Sequence, residues 1–465
     1  MQSRSQLRLE SSGLVSREPS LTLAKRAAGT PPTILLVVWP EYGHVVTPLA
    51  LAKQLRSAGY RVVFAGVRTF EQPMRKLGYE YVTLAESRAD GAPTLFDFLP
   101  DHSQFCAALA VFVEVFRAAL AAHRPSLILF DSLYSAFGII ASDAGVAWAI
   151  YETDLPREYD PGVPPPHLMQ EPGPQATERI QAEWNAHLER SYAYLAYADS
   201  RPDLGRAWAT AYFPRILTRA LQDRFGTTVP FDTNTLYAPV AKVPRMVFCP
   251  EAFDFDRVNR AGTHWVGPCI DYERREPDFA WDSLPANRRI AYCALGTQSA
   301  RQPNAVKALR TVLEVFSARD DYFLVLVCNR HQKNELPRAG SSVMLVERAP
   351  QLALLRRASV ALIHGGFNSL KECAALGVPV IALPLGMDQP RNAALARHHG
   401  FAIALDVNRL TRSELDDAVS AVDSDPVRQA CARMKSLFAE AAAEPLALRF
   451  VEAMLATLEN GIERA

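Results

Sequence analysis

The chain has 465 residues, of which 49% are apolar and 22% charged, a balance typical of globular proteins. That length exceeds one ordinary hydrophobic core and predicts two or three domains. The 50 basic residues balance the 50 acidic ones, so the charge does not favour nucleic acid or an anionic membrane as the main partner.

The amino terminus and the cysteines indicate the compartment. Residues 1–32 are rich in serine and arginine and lack an apolar signal-peptide core, so we predict a disordered tail, with a transit peptide as the weaker alternative. No apolar run reaches the length of a membrane span. The 7 cysteines form no Cys-x-x-Cys pair and lie mostly in apolar runs, which we interpret as reduced core residues of a cytoplasmic protein.

From residue 33 onward, apolar runs of strand length alternate with helical patterns. The predicted strands of the first half lie at 33–39, 61–66, 79–84, 126–131, 146–152, 245–250 and 263–269. Such alternation is typical of a parallel, doubly wound sheet. The stretch 40–47 is predicted to be a loop, and the proline-rich stretch 156–175 a long surface loop.

A charged, irregular stretch at 271–288 is predicted to be a linker, because a second series of strands follows it. The strands of that series are predicted at 289–297, 322–329, 343–347, 360–366, 378–385 and 401–406. The sequence therefore predicts an α/β protein with two tandem Rossmann-like domains, 33–270 and 289–440, and a C-terminal helix within 441–465. Ligands of parallel sheets bind beyond the carboxyl ends of the strands, which places the site in the cleft between the domains.

Residues 364–393, HGGFNSLKECAALGVPVIALPLGMDQPRNA, contain the densest set of chemically functional residues. A predicted strand ends in His364-Gly365-Gly366, and Asn368 and Ser369 then open a helix. The free N–H groups and the positive dipole end of a helix start favour an anion, and phosphate fits best. A strand–glycine–helix junction alone is more often a tight turn, so its neighbours decide the interpretation.

Those neighbours are two acids and an amide that suit hydroxyl groups. Glu372 lies one turn further along the predicted helix, where it can accept hydrogen bonds from hydroxyls beside the phosphates. Asp388 and Gln389 follow the next predicted strand, and an acid with an amide can hold several adjacent sugar hydroxyls. The whole set in this order is far more specific than the junction itself.

This segment resembles the nucleotide-sugar signature of the UDP-glycosyltransferase family, the family-1 glycosyltransferases. The stretch ERAPQLALLRRASV (347–360) resembles that family's Pro-Gln segment, and the similarity extends over residues 33–455, closest to bacterial natural-product and carotenoid-type members. The resemblance implies a GT-B fold, in which two Rossmann-like domains face each other across a cleft. It also implies transfer of a hexose from a nucleotide diphosphate sugar to a small hydrophobic acceptor.

The resemblance further implies a role for each matching residue on the donor side. The diphosphate would be held by His364, Gly366, Asn368 and Ser369, with Gly296 and Thr297 nearby. Glu372 would bind the ribose, and Asp388 with Gln389 the transferred sugar. Gln351 would lie near the base. A glutamate at position 372 suits a ribose with its 2′-hydroxyl, which favours a UDP-sugar over a dTDP-sugar.

Two residues depart from the family pattern. Arg348 stands where many members have a tryptophan that stacks on uracil, and a guanidinium can also stack on a flat ring. Gly386 stands where many members have an aromatic residue near the sugar. These departures leave the base and the sugar open.

The first predicted strand leads to a candidate catalytic base. His44 follows Gly43, and Pro48 restarts a helix, as in the family's glycine–histidine motif, although a lone histidine after a strand is more often structural. The resemblance implies that His44 is the general base, with a pKa near neutrality. Asp131, at the end of another predicted strand, would orient the imidazole, and its alternative role is a helix N-cap.

These roles together imply an inverting reaction without a metal or further cofactor. The acceptor oxygen would attack the anomeric carbon opposite the leaving diphosphate, which positive donors and His364 would stabilise. The Asp-x-Asp strings at 254–256 and 423–425 are rejected as metal sites, because neither ends an apolar strand in the nucleotide-binding half and the second lies where a helix cap is expected. The pair 398–399 is interpreted as a surface helix end. Val380 stands where many retaining GT-B enzymes have a second glutamate.

Three rival interpretations stay open. The chain could be a lipid-linked sugar transferase of the same architecture, a nucleotide-sugar epimerase or hydrolase of GT-B fold, or a non-catalytic partner that binds nucleotide sugar. The acceptor is not identified by the sequence. Aromatic residues of the first half that could line an acceptor pocket, or simply fill helix cores, are Trp184, Tyr192, Tyr194, Tyr197, Trp208, Tyr212 and Phe213.

Overall fold

The chain folds around two parallel sheets. The computed structural model describes residues 31–85, 102–200, 218, 220–225 and 243–462. Of the predicted tail, all but the last two residues lie outside these ranges. The two sheets have seven and six strands, and each strand predicted above is present, which confirms the α/β class.

The first sheet contains β1 (Thr33–Val37), β2 (Arg61–Val67), β3 (Glu80–Ala85), β4 (Leu127–Asp131), β5 (Trp148–Glu152), β6 (Arg245–Val247) and β7 (Thr263–Trp265). Its spatial order is β3-β2-β1-β4-β5-β6-β7. The helices of this half are α1 (Tyr42–Val46), α2 (Leu49–Ser57), α3 (Glu71–Lys76), α4 (His102–His123), α5 (Gly138–Asp143) and α6 (Thr177–Ser200). Every residue of β1 and β4 is buried, because helices cover both faces of a parallel sheet.

The second sheet contains β8 (Arg289–Ala294), β9 (Tyr322–Val327), β10 (Val343–Val346), β11 (Ala358–Ile363), β12 (Val380–Ala382) and β13 (Ala402–Ala404). Its order, β10-β9-β8-β11-β12-β13, repeats the winding of the first sheet. Its helices are α7 (Ala305–Ser317), α8 (Arg330–Glu335), α9 (Gln351–Leu355), α10 (Phe367–Leu376), α11 (Gln389–His398), α12 (Arg412–Ala421) and α13 (Asp425–Ala442). This is the expected pair of Rossmann-like sheets.

The C-terminal helix returns to the first half of the molecule. The predicted helix is present as α14 (Leu446–Ile462). Its residues Ala447, Phe450 and Val451 are buried in the same apolar cluster as Leu51 and Leu55 of α2. The last helix therefore binds the two halves together from the outside.

Two loop predictions need correction. Residues 42–46 form helix α1 instead of continuing the predicted loop. The stretch 156–175 contains no long regular element, as predicted, but it is not a surface loop: Asp160 and Val163 within it are fully buried. Val163 joins an apolar cluster with residues of the second sheet, among them Val325 and Ile363. We call residues 153–175 the clasp, because they pack across onto the second half.

Within the described ranges, no helix is both long and apolar enough to cross a bilayer.

Candidate active site

The site lies where the two sheets have their topological switch points. In the first sheet the strand order reverses between β1 and β4, and in the second sheet it reverses between β8 and β11. Ligands of doubly wound sheets bind beyond the carboxyl ends at such points. His44 follows β1 and Asp131 ends β4, whereas Gly296 follows β8 and His364 follows β11. All four predicted residues therefore lie at the switch points.

His44 and Asp131 form a hydrogen-bonded pair. The Nδ1 atom of His44 lies 2.7 Å from Oδ2 of Asp131 and 3.0 Å from the hydroxyl of Thr153. The Asp131 side chain is completely buried and that of His44 is 16% exposed. The other oxygen of Asp131 accepts from the backbone N–H of Leu133 at 3.1 Å. Asp131 thus serves both as the partner of His44 and as the cap that the sequence offered as an alternative.

The pKa of His44 is not the ordinary value that the sequence suggested. Burial lowers this pKa, but the charge of Asp131, its hydrogen bond and the charge of Glu41 together outweigh burial, and the pKa is raised above 6.5. Deprotonating an acceptor hydroxyl requires the neutral imidazole. The pairing at Nδ1 assigns that task to Nε2.

Asn368 joins the helix that carries His44 to the second half. Its Nδ2 donates to the carbonyl of Gly43 at 3.1 Å and to the hydroxyl of Thr47 at 2.7 Å. Both N–H bonds of this amide are therefore engaged by the first half of the chain. The predicted contact of Asn368 with a diphosphate stays a prediction.

His364 lies between two glycines. A Cβ atom on Gly296 would come 2.5 Å from Nε2 of His364, and a Cβ on Gly366 would clash with the same atom. Gly296 also has a φ of +79°, a conformation that favours glycine. Burial lowers the pKa of His364 to about 4. His364 is therefore neutral near pH 7, and its predicted contact with a leaving diphosphate would be that of a neutral imidazole.

Glu372 is the centre of a polar cluster on α10, one turn beyond the start of this helix. Gln351 donates to Glu372 Oε2 at 2.7 Å and to the hydroxyl of Ser369 at 3.2 Å, while Tyr292 donates to Gln351 at 3.1 Å. Three residues predicted to bind the nucleotide sugar, Gln351, Ser369 and Glu372, thus lie together. The cluster also includes Arg274, whose guanidinium contacts both carboxylate oxygens of Glu372.

Asp388 and Gln389 lie at the end of the loop that follows β12, where helix α11 begins. Asn392 donates to Asp388 Oδ2 at 2.7 Å, and Gln389 Oε1 accepts from the backbone N–H of Leu385 at 2.8 Å. Burial and the nearby charge of Asp154 raise the pKa of Asp388 to about 6. Asp388, which is predicted to bind the transferred sugar, therefore lies near Asp154, a carboxylate from the first half of the chain.

Three charged residues at the cleft were missed by the sequence analysis. Asp154 lies just beyond β5, and its position after a strand is a signal that could have identified it. Arg391 is fully buried and donates to the clasp carbonyls of Pro156 and Leu155 at 2.9 and 3.0 Å. Arg274 comes from the predicted linker. Neither arginine has a sequence neighbour that points to its partner.

The remaining predicted residues have other surroundings. Thr297 and Arg348 are exposed. Trp184, an acceptor candidate, is buried to 1% exposure and donates to the carbonyl of Val163 at 2.6 Å, so it belongs to the core. The other acceptor candidates, or their side chains, lie outside the described residues: Tyr192, Tyr194, Tyr197, Trp208, Tyr212 and Phe213.

The acidic strings and the histidine pair have partners within the protein. Carboxylates of both strings pair with arginines: Asp254 with Arg257, Asp423 with Arg289 and Asp425 with Arg428. Among the described residues, no three histidine, cysteine, aspartate or glutamate side chains are grouped as metal ligands. The pair 398–399 does end helix α11, and His398 is exposed, but His399 is half-buried: its ring stacks on Phe253 at 5.1 Å and contacts the Phe253 carbonyl at 2.9 Å.

Fold and site together define a class of protein. The chain can be superimposed on the glycotransferase of kitacinnamycin with a TM-score of 0.68 and 23% identity, covering 91% of this chain and 98% of that one. The calicheamicin glycosyltransferase CalG4 gives a TM-score of 0.62 with 17% identity, covering 92% and 98%. The fold is that of the GT-B glycosyltransferases.

Sequence comparisons show similarity to one family of these enzymes. Residues 295–454 match the family described as UDP-glucoronosyl and UDP-glucosyl transferase. The zeaxanthin glucosyltransferase of Pantoea ananas is 24% identical over 78% of this chain and 82% of its own length. The oleandomycin glycosyltransferase of Streptomyces antibioticus is 26% identical over 94% of this chain and 93% of its own. The chain is thus similar to the UDP-glycosyltransferase family, most clearly in its second half, and is a glycosyltransferase.

Proposed function

We propose that this enzyme transfers a hexose, with inversion and without a metal ion, from a UDP-sugar to a hydroxyl of a small hydrophobic acceptor. The observation that carries the proposal is the His44–Asp131 pair, 2.7 Å apart at the carboxyl ends of two central strands. A histidine held in this way is oriented, and its partner compensates the positive charge that it gains on taking a proton.

The reaction proceeds in one displacement. Nε2 of His44 takes the proton of the acceptor hydroxyl while the oxygen forms a bond to the anomeric carbon. The bond from that carbon to the diphosphate breaks on the opposite face, so configuration inverts. Asp131 holds the imidazolium through its hydrogen bond until the proton is released to solvent.

The donor side supports a nucleoside diphosphate. Helix α10 begins at Phe367 directly after Gly366, and its free N–H groups at the cleft suit the charge that develops on a leaving diphosphate. Glu372 and Gln351 lie one turn away, where hydroxyl groups of a ribose would meet a carboxylate. Asp388 and Gln389 are assigned to the transferred sugar.

The acceptor class is supported by the relatives. The names of two of them refer to a carotenoid, zeaxanthin, and to the antibiotic oleandomycin. We infer an apolar acceptor of natural-product type for this chain. We also propose a cytoplasmic location, because the six described cysteines are unpaired and five of them are buried, as in reduced proteins.

The test is donor turnover by the purified protein with EDTA present. UDP- and dTDP-sugars would be offered with a panel of hydrophobic alcohols and phenols, and the anomeric configuration of the product would be read by NMR. We expect an inverted glycoside from a UDP-sugar, with EDTA having no effect. Loss of turnover in EDTA or retention of configuration would refute the mechanism, and sugar release without an acceptor would favour a hydrolase.

A further inference from the structure

An arginine of the linker contacts the residue assigned to the ribose. Arg274 donates through Nη1 and Nη2 to the two oxygens of Glu372, the second contact being 3.1 Å. The side chains are 18% and 5% exposed. Gln351 donates to Oε2 of the same carboxylate at 2.7 Å. The proposed mechanism gives Arg274 no task, although it occupies the donor side of the cleft.

The segment around Arg274 is fastened to the second half of the molecule. The two oxygens of Glu276 accept from the backbone N–H groups of Leu352 and Ala353 at 2.7 and 3.0 Å, at the start of α9. Arg356 donates to the carbonyl of Tyr272 at 3.4 Å. Arg274 is therefore presented to Glu372 from a segment held on both sides.

The carboxylate of Glu372 has little capacity left for a ligand. A carboxylate offers about four acceptor positions. Arg274 uses two of them and Gln351 a third. A ribose that donates through both its 2′- and 3′-hydroxyls needs two positions. At least one of these three contacts must therefore break before both hydroxyls can bind, and two of the three are made by Arg274.

We propose that Arg274 is a specificity-determining residue that occupies the hydroxyl-binding positions of Glu372 and is displaced by the ribose of an incoming nucleotide. This inference rests on the proposed function, which assigns Glu372 to the ribose. Molecules in which Arg274 is paired with Glu372 cannot bind both ribose hydroxyls. The apparent dissociation constant of the nucleotide therefore equals the intrinsic constant divided by the fraction of molecules in which this pair is broken. Arg274 thereby lowers the affinity for nucleotides that carry ribose hydroxyls.

The test compares two ligands on variant proteins by isothermal titration calorimetry. UDP carries both hydroxyls, and 2′,3′-dideoxyuridine diphosphate carries neither. With Arg274→Ala we expect the Kd of UDP to fall by about tenfold, while the Kd of the dideoxy compound stays unchanged. Arg274→Gln, which keeps an amide donor without the charge, serves as the second variant should the alanine variant fold poorly, with a smaller shift in the same direction.

Arg356→Ala is the matched control, because it removes an arginine that holds the same segment without touching Glu372. It should leave the ratio of the two dissociation constants unchanged. An unchanged or weaker UDP affinity in both Arg274 variants, or equal shifts for both ligands, would overturn the inference alone. Absence of UDP binding by the wild-type protein would instead overturn the proposed function together with this inference.

Discussion

At the scale of single residues, the account depends on the protonation of His44. Burial lowers its pKa, while Asp131 and, to a smaller extent, Glu41 raise it, and the net pKa lies above 6.5, so the imidazole is protonated up to a pH above 6.5. Catalysis needs the neutral form. We therefore expect kcat/KM to rise with pH through an apparent pKa above 6.5, the pKa of the free enzyme.

Asp131→Asn tests the effect of the Asp131 charge on His44 without disrupting the fold. Asparagine retains an oxygen for the cap on Leu133, so the fold should persist, but the cause that raises the pKa of His44 is lost. We predict that kcat falls by about 10²- to 10⁴-fold and that the midpoint of the pH profile moves to lower pH. Steady-state kinetics from pH 5 to 9 would measure both. A midpoint that moves upward would contradict the assignment.

A second prediction concerns Asp388, whose pKa of about 6 makes it a protonated acid in mildly acidic solution. If its carboxylate accepts hydrogen bonds from the transferred sugar, a UDP-sugar should lose affinity relative to UDP as the pH falls through about 6. The ratio of the two dissociation constants between pH 5 and 8 tests this. Asp388→Asn should abolish the pH dependence of that ratio, and its persistence would assign the titration to another group.

At the scale of elements, the β8 turn is shaped to admit the ring of His364. Gly296→Ala would add the strain of a φ of +79° and a direct clash with the imidazole. Gly59→Ala is the matched control, because Gly59 has a φ of +89° and open space around it. We expect the Gly59 variant to lose about 1 kcal/mol of unfolding free energy, and the Gly296 variant about 1–3 kcal/mol more, measured by urea unfolding. Equal losses would show that the ring is not confined.

Elements are also the scale at which the sequence was most informative. The strands were predictable because buried parallel strands are apolar runs, and His44 and Asp131 were predictable because each ends or follows such a run. Helix α1 was missed because five residues that include a glycine carry no helical periodicity. The pairing of Arg274 with Glu372 spans 98 residues, and no local pattern encodes a contact across that distance.

At the scale of the whole molecule, the clasp connects the two halves across the cleft. Arg391 of α11, fully buried, donates to two clasp carbonyls, and Arg397 of the same helix pairs with Glu171 of the clasp while 37% exposed. The sequence predicted a surface loop here because the partners of its buried polar groups lie more than two hundred residues away. The clasp therefore belongs to the interface between the domains.

This difference between the two arginines gives a prediction about interdomain stability. Arg391→Ala should lower the unfolding free energy by about 1–3 kcal/mol, because the buried carbonyl of Leu155 loses its donor, while Asp154 and the carbonyl of Pro156 keep Arg157 and Arg257. Arg397→Ala, the control on the same helix, removes an exposed pair worth about 0–1 kcal/mol. Chemical unfolding measures both, and proteolysis within residues 156–175 should accelerate only in the first variant. Similar losses of unfolding free energy in the two variants would contradict the claim that the buried contacts of Arg391 hold the clasp in place.

The central claim is that His44 is the base of a transfer reaction, and His44→Ala tests it most directly. With the UDP-sugar and acceptor that the wild-type enzyme uses best, we predict that kcat/KM falls by about 10²- to 10⁴-fold while the Kd of UDP, measured by calorimetry, is unchanged. That combination would show that the variant keeps its donor site and loses only proton transfer. Glycoside formation at the wild-type rate would contradict the account.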